Sequence, residues 1–165
     1  MIFFSVVLFA SFSKCSVFPE EKADPSVVVM SYNVCNLFDS TDNGTEYPEY
    51  DPSGGEWNSE LYHARLKNTV EVILKASPPD GPDIICLQEI ENEKVLKDLV
   101  SAALSSLSYD YIVCENNSGS AVTTGIISRY PVKSLLSHSV YIKGFENLRS
   151  ITEAVISVPQ DSDSK

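Results

Sequence analysis

Positive charge is what this sequence has least of. Twelve Lys and Arg face 23 Asp and Glu, a formal net charge of −11, which excludes diffuse electrostatic attraction as a way of holding a polyanion. A phosphate-bearing partner would need locally placed basic residues or a bound divalent cation to offset that field. Cysteine is sparse as well. Cys15, Cys35, Cys86 and Cys114 include no Cys-x-x-Cys pair, so they do not form a disulfide framework. Three of the four lie in apolar, strand-like stretches, where a free thiol behaves as a small hydrophobe, and buried thiols are expected. In an oxidising compartment one pair among Cys35, Cys86 and Cys114 could be bridged, and the sequence does not choose which. Long hydrophobic runs are missing too. The twelve-residue run from Met1 to Phe12, interrupted by Ser5 and Ser11, falls short of the ~20 residues a transmembrane helix needs.

What is present fits one globular unit. A chain of 165 residues with 43% hydrophobic and 21% charged content can bury one sizeable core but not two. Residues 1–13 read as a signal peptide or apolar leader, with Ser11 and Ser13 forming a small-x-small cleavage site before Lys14. No Lys or Arg precedes the apolar run. The expectation is export to the periplasm or secretion; lipid anchoring at Cys15 and an ordinary buried N-terminal strand are the alternatives. Residues 14–26 form a polar linker, 27–158 the domain, and 159–165 a polar tail.

Within the domain, Val27 to Met30 suggest a strand covered on both faces. Residues 39–59 are rich in Asp, Glu, Gly, Pro and Tyr and read as a solvated loop, since their carboxylates lack EF-hand spacing. "NSELYHARLKNTVEVILKAS" reads as an amphipathic helix capped by Asn58 or Ser59, with Leu66, Val70, Ile73 and Leu74 as its core stripe. His63 falls on its polar side. "DIICLQE" follows as a second apolar strand. Then "ENEKVLKDLVSAALSSL" places Val95, Leu96, Leu99, Val100, Ala103, Leu104 and Leu107 on one helix face, with Glu91 and Glu93 in the first turn. "YDYIVCE", "TTGIISRYPV", "HSVYI" and "ITEAVISV" read as strands, separated by turn signals at Asn117-Ser118-Gly119, Tyr130-Pro131 and Gly144. The order predicts an α/β protein with a mixed β-sheet covered by helices.

Two strand ends look alike. Asn33 in "VVVMSYNVCNLFD" and Glu89 in "DIICLQE" each interrupt the C-terminal end of an apolar run, where open α/β sheets usually bind ligands. A buried amide needs a partner, so Asn33 either closes a turn or lines a site. Glu89 either caps the following helix or, beside a neutral amide, serves a hard cation such as Mg2+ that retains most of its waters.

"MSYNVCNLFD", "DIICLQEIEN", "GIISRYPV" and "LRSITEAVI", in this order from about Val27 to Val158, resemble the N-terminal half of the endonuclease/exonuclease/phosphatase superfamily, in particular a branch with "NLFD" in its first strand. The resemblance implies half of a four-layered α/β sandwich and metal-assisted hydrolysis of a phosphodiester, with Mg2+ or Mn2+ as cofactor. It makes Asn33 a catalytic-site residue lining the phosphate and metal, and Glu89 the principal metal carboxylate. Arg149 matches a position often basic in relatives and could face substrate phosphate; a plain surface arginine is the alternative. Nucleic acid is the leading substrate class, with phospholipid or sphingomyelin phosphodiesters as alternatives.

The sequence departs from the family pattern in ways that bear on activity. Cys35 replaces an acid often found two positions after the asparagine. The "GD-x-N" and "SDH" motifs that supply an Asp and a His are absent, Asp161 and Asp163 lack the context, and His138 precedes the expected position. One sheet of such a sandwich lacks the partner covering its inner face. At about 25 cal/mol per Å², several hundred Å² of lost burial rivals the ~5–15 kcal/mol stability of a typical domain. The chain alone is therefore expected to be poorly stable or dependent on another polypeptide, such as a C-terminal half, and to hydrolyse little. A non-catalytic exported domain or remnant is the competing reading.

Overall fold

The computed structural model describes residues 26–77, 79–115, 120–145 and 148–159. The leader, Cys15, most of the linker, the expected turn at Asn117-Ser118-Gly119, Asp161 and Asp163 lie outside the described residues.

The protein is mixed α/β. A four-stranded sheet has the spatial order β1 (Val29–Leu37), β2 (Ile84–Ile90), β4 (Thr123–Ser128), β3 (Tyr111–Cys114). β1 and β2 are parallel and are joined through helix α1 (Ser59–Ala76), as a parallel pair requires a long crossover. β4 runs antiparallel to both of its neighbours. A separate antiparallel pair is formed by β5 (Val132–His138) and β6 (Ile151–Ile156).

One face of the four-stranded sheet carries the core. Ile85, Leu87 and Ile127 are buried there against Leu66, Val70 and Ile73 of α1 and against Val95, Leu96 and Leu99 of helix α2 (Glu93–Leu99). Gly125 marks the closest approach of α2 to the sheet: a Cβ at that position would lie 2.5 Å from Leu96 Cδ1 and 2.6 Å from Ile90 Cδ1. The Asn58 side chain caps α1 by accepting from the N–H groups of Glu60 and Leu61. After α2 the chain stays helical as a π turn, Val100–Leu104, and then a 3-10 turn, Ser105–Leu107.

Several expectations need correction. β1 is covered on one face only: Met30, Tyr32 and Val34 turn inward while Val29, Ser31 and Asn33 are exposed. As the terminal strand of the sheet it has a neighbour on one side alone. Residues 123–132 are not one strand, because the Tyr130-Pro131 turn separates β4 from β5. The next strand lies at 132–138 rather than 138–142, where Ile142 and Phe145 make only an isolated bridge. Glu91 is outside α2, whose N-cap is Asn92 accepting from the Val95 N–H. Cys35 is exposed, and Cys35, Cys86 and Cys114 are all free thiols.

The acidic loop after β1 is solvated along most of its length, as expected, and is pinned at a few aromatic side chains. The Phe38 ring stacks on Tyr50 at 4.9 Å and meets Tyr47 edge-on at 5.4 Å. Tyr50 in turn meets Trp57 at 5.1 Å, and the Trp57 indole N–H donates to the Asp39 carbonyl at 2.6 Å. Aromatic contacts of this kind contribute beyond their buried area. They hold two 3-10 turns, Pro48–Tyr50 and Pro52–Gly54, in place.

Candidate functional site

The ends of β1 and β2 break their ladder together. Asn33 pairs with Gln88, and the next pair in register is Leu37 with Ile90, so residues 34–36 stand opposite Glu89 alone. On its other side β2 also slips between Gln88 and Ile90, paired with Thr124 and Thr123. Glu89 is thus the extra residue relative to β4. Cys35, Asn36 and Glu89 have φ of 54°, 60° and 63°, in the left-handed region that costs a residue with a Cβ roughly 1–2 kcal/mol. Paired bulges with such backbone recur beside functional sites because they re-aim side chains out of the sheet.

Specific contacts hold this irregular backbone. Asn33 Oδ1 accepts the Cys35 N–H at 2.8 Å, a local turn that the asparagine side chain closes on its own strand. Arg65 reaches from α1 and donates through Nη2 to the carbonyls of Val34 and Cys35, both at 2.7 Å. Those carbonyls have left the ladder and need a donor. The Leu37 carbonyl accepts the Glu91 N–H at 3.0 Å.

At this point three side chains meet. Arg149 Nη1 donates to Glu89 Oε1 at 2.8 Å. The Glu89 side chain is 18% exposed and that of Arg149 65% exposed. The guanidinium holds the Glu89 carboxyl below the usual carboxylate range, helped by hydrogen bonds from the Asn33 side chain and the Asn36 backbone. Asn33, Glu89 and Arg149, the residues singled out from sequence, are therefore brought together. Gln88 is not part of the group: its Nε2 donates to Ser31 Oγ at 3.2 Å and the Cys86 carbonyl at 3.1 Å.

Glu115, just past β3, is a residue that sequence reasoning missed. Its carboxylate accepts from Ser150 Oγ at 2.7 Å and Thr152 Oγ1 at 2.8 Å, on either side of β6's first residue. Burial opposes ionisation of Glu115, but hydrogen bonds from Ser137, Ser150 and Thr152 together leave its carboxyl below the usual range. The backbone that carries Arg149 is thereby tethered to the four-stranded sheet. On the other flank, Glu91 accepts the Asp39 N–H at 2.7 Å and the Asn43 amide at 2.6 Å, which fixes the start of the acidic loop. Burial pushes the Glu91 carboxyl up.

Neither histidine belongs to the group. His63 Nδ1 is 2.6 Å from the Ser59 carbonyl on α1, and His138 Nε2 is 2.8 Å from Glu153 Oε2 on the β5–β6 pair. Among the described residues, no three or more His, Cys, Asp or Glu side chains are arranged to hold a metal ion. The Asn33 amide oxygen is already turned to the Cys35 N–H, so the donor set is the Glu89 carboxylate. That fits a hard cation such as Mg2+, which takes one or two protein carboxylates and completes its shell with water and substrate phosphate, and it does not fit a closed all-protein cage.

The chain is thus a mixed α/β protein whose bulged β1 and β2 ends present an amide and a carboxylate, with an arginine reaching them from the segment before β6. A sequence model of the endonuclease/exonuclease/phosphatase family matches residues 28–161, and the chain belongs to that family. Members of this family generally depend on divalent metal and act on phosphodiester substrates. No curated protein and no solved structure matches the chain.

Proposed function

We propose that this chain carries the metal- and phosphate-binding part of a divalent-metal-dependent phosphodiesterase. The observation that carries the reading is the convergence of Asn33, Glu89 and Arg149 where left-handed backbone at Cys35, Asn36 and Glu89 breaks the adjacent ends of β1 and β2. Glu89 would hold Mg2+ or Mn2+, and Asn33 would fix the carboxylate and line the phosphate. When bound, the ion supplies polarisation of the phosphoryl oxygen and stabilisation of charge on the leaving oxygen. Arg149 offers five donors to a phosphate that a net charge of −11 would otherwise repel.

Nucleic acid is the substrate class we favour, supported by the "NLFD" stretch of the first strand; phospholipid and sphingomyelin phosphodiesters are the alternatives. The reading includes export, supported by the apolar leader at residues 1–13. It also includes a further polypeptide segment that supplies the general acid and base. The support is an apolar outer face on the β5–β6 pair, where Ile151 is 63% and Val155 48% exposed. A non-catalytic role is favoured by one observation, the small donor set without a nearby histidine.

The two readings separate on metal binding. At ten times its Kd a divalent ion stabilises a protein by about 1.4 kcal/mol, roughly 3–6 °C for a chain of this size. Wild type should show this shift with Mg2+ or Mn2+, and Glu89→Gln should lose it. An identical response in both proteins, or none in wild type, would overturn the metal reading and leave the non-catalytic one.

A further inference from the structure

Glu89 already has a cation. Arg149 donates to Glu89 Oε1 at 2.8 Å, and a divalent ion on the same carboxylate would set a second positive centre close beside the guanidinium, a repulsion that favours release of the arginine. We infer that Arg149 is a resident counter-ion of Glu89 that a divalent cation displaces, so that metal binding releases the guanidinium for an anionic ligand. The inference rests on the metal reading above and adds an order of binding to it: metal first, phosphate second.

Three features make the exchange feasible. The Arg149 side chain is 65% exposed, so it can swing into solvent with little desolvation cost or loss of packing. Its backbone is not free to follow, since Ser150 and Thr152 are both held by Glu115; the side chain moves while its anchor stays beside the site. Glu89 itself is aimed by the bulge it stands on, where its φ is 63° and the β1–β2 register slips, so the carboxylate remains positioned when the arginine leaves. Half-exposed ion pairs are weak and screened by salt, which makes this one displaceable rather than a permanent lock.

The consequence is positive coupling between metal and anion through one side chain, and coupling of this kind is reciprocal. The test measures Mn2+ affinity of the full chain by electron paramagnetic resonance, for wild type, Arg149→Met, Arg149→Lys and Glu89→Gln, with and without dimethyl phosphate. Arg149→Met should bind Mn2+ about two- to fivefold more tightly than wild type, and the gap should narrow at high salt. Arg149→Lys should lie between them. Dimethyl phosphate should tighten Mn2+ binding to wild type and leave Arg149→Met unchanged. Metal-free melting of Arg149→Met serves as the control for a purely structural pin. A clear drop in its Tm with an unchanged Mn2+ Kd would overturn the displacement idea. Equal, Glu89-dependent affinities in wild type and Arg149→Met would overturn it while leaving the metal reading intact. Mn2+ binding that survives Glu89→Gln, or is absent throughout, would overturn both.

Discussion

"TTGIIS" and "ITEAVI" are strands of equal length and similar β-propensity, and they meet opposite fates. β4 buries all of its residues but Thr124, whereas β6 has no buried residue and alternates exposed with half-buried positions. β4 sits between β2 and β3 with helix α2 seated on Gly125; among the described residues β6 pairs only with β5. Propensity made both of them strands, and neighbours decided which became core. A lone two-stranded pair is marginal in water. Here polar contacts to Glu115 and Glu89 link its β6 end to the larger sheet.

The largest effect expected from this contrast lies under Gly125. Leu96 is fully buried between Ile90 and Gly125, so Leu96→Ala removes packed methyl groups that nothing nearby can replace. The expected loss is about 2–5 kcal/mol, read from urea unfolding. A loss below about 1 kcal/mol would mean that α2 is loosely seated and that the two sheets differ less than their burial suggests.

Second in size is the polar fastening of the β5–β6 pair. Glu115 has its folded-state carboxyl held below the ordinary value. A lowered folded pKa contributes stability that is fully present above the unfolded value and is lost as pH falls through the folded one. Acidification below about pH 4.5, the ordinary Glu value, should therefore free the β5–β6 pair before the core sheet opens. Hydrogen exchange should show β5 and β6 amides losing protection first, with those of β2 and β4 retained. Glu115→Gln should weaken the fastening by about 1 kcal/mol at neutral pH and remove its share of the acid sensitivity. Simultaneous loss of protection in both sheets would show that they unfold as one unit.

Interrupted apolar runs drew attention to two positions, Asn33 and Glu89, while the expected site roles of both and of Arg149 came from the family resemblance. The helix stripe of Leu66, Val70 and Ile73 fixed which face α1 buries. The bulges were not legible: Cys35, Asn36 and Glu89 carry no glycine to announce a positive φ. Arg65 and Glu115 were missed because their roles come from partners 30 or more residues away. Glu91 was misplaced by taking acidic residues as a first helical turn, when Asn92 before Glu93 was the better cap signal. The Tyr130-Pro131 turn signal was legible, and β5 was displaced because "HSVYI" was read as the next strand, although it is Val132–His138 that pairs with β6.

The smallest effect should come from the outer face of β6. Ile151 and Val155 project there with Leu136 of β5 nearby, all largely exposed. Replacing both with Thr keeps β-branching and hence strand propensity, while it removes apolar surface that none of the described residues covers. If the face is free, Ile151→Thr with Val155→Thr should change unfolding free energy by no more than about 0.5 kcal/mol and should reduce concentration-dependent association in analytical ultracentrifugation, since exposed apolar patches drive contact between copies or partners. A loss above about 1.5 kcal/mol that grows with protein concentration would have a different meaning. It would show that the face is already buried between copies of the chain, and that the difference between β4 and β6 is one of which partner covers them rather than whether any does.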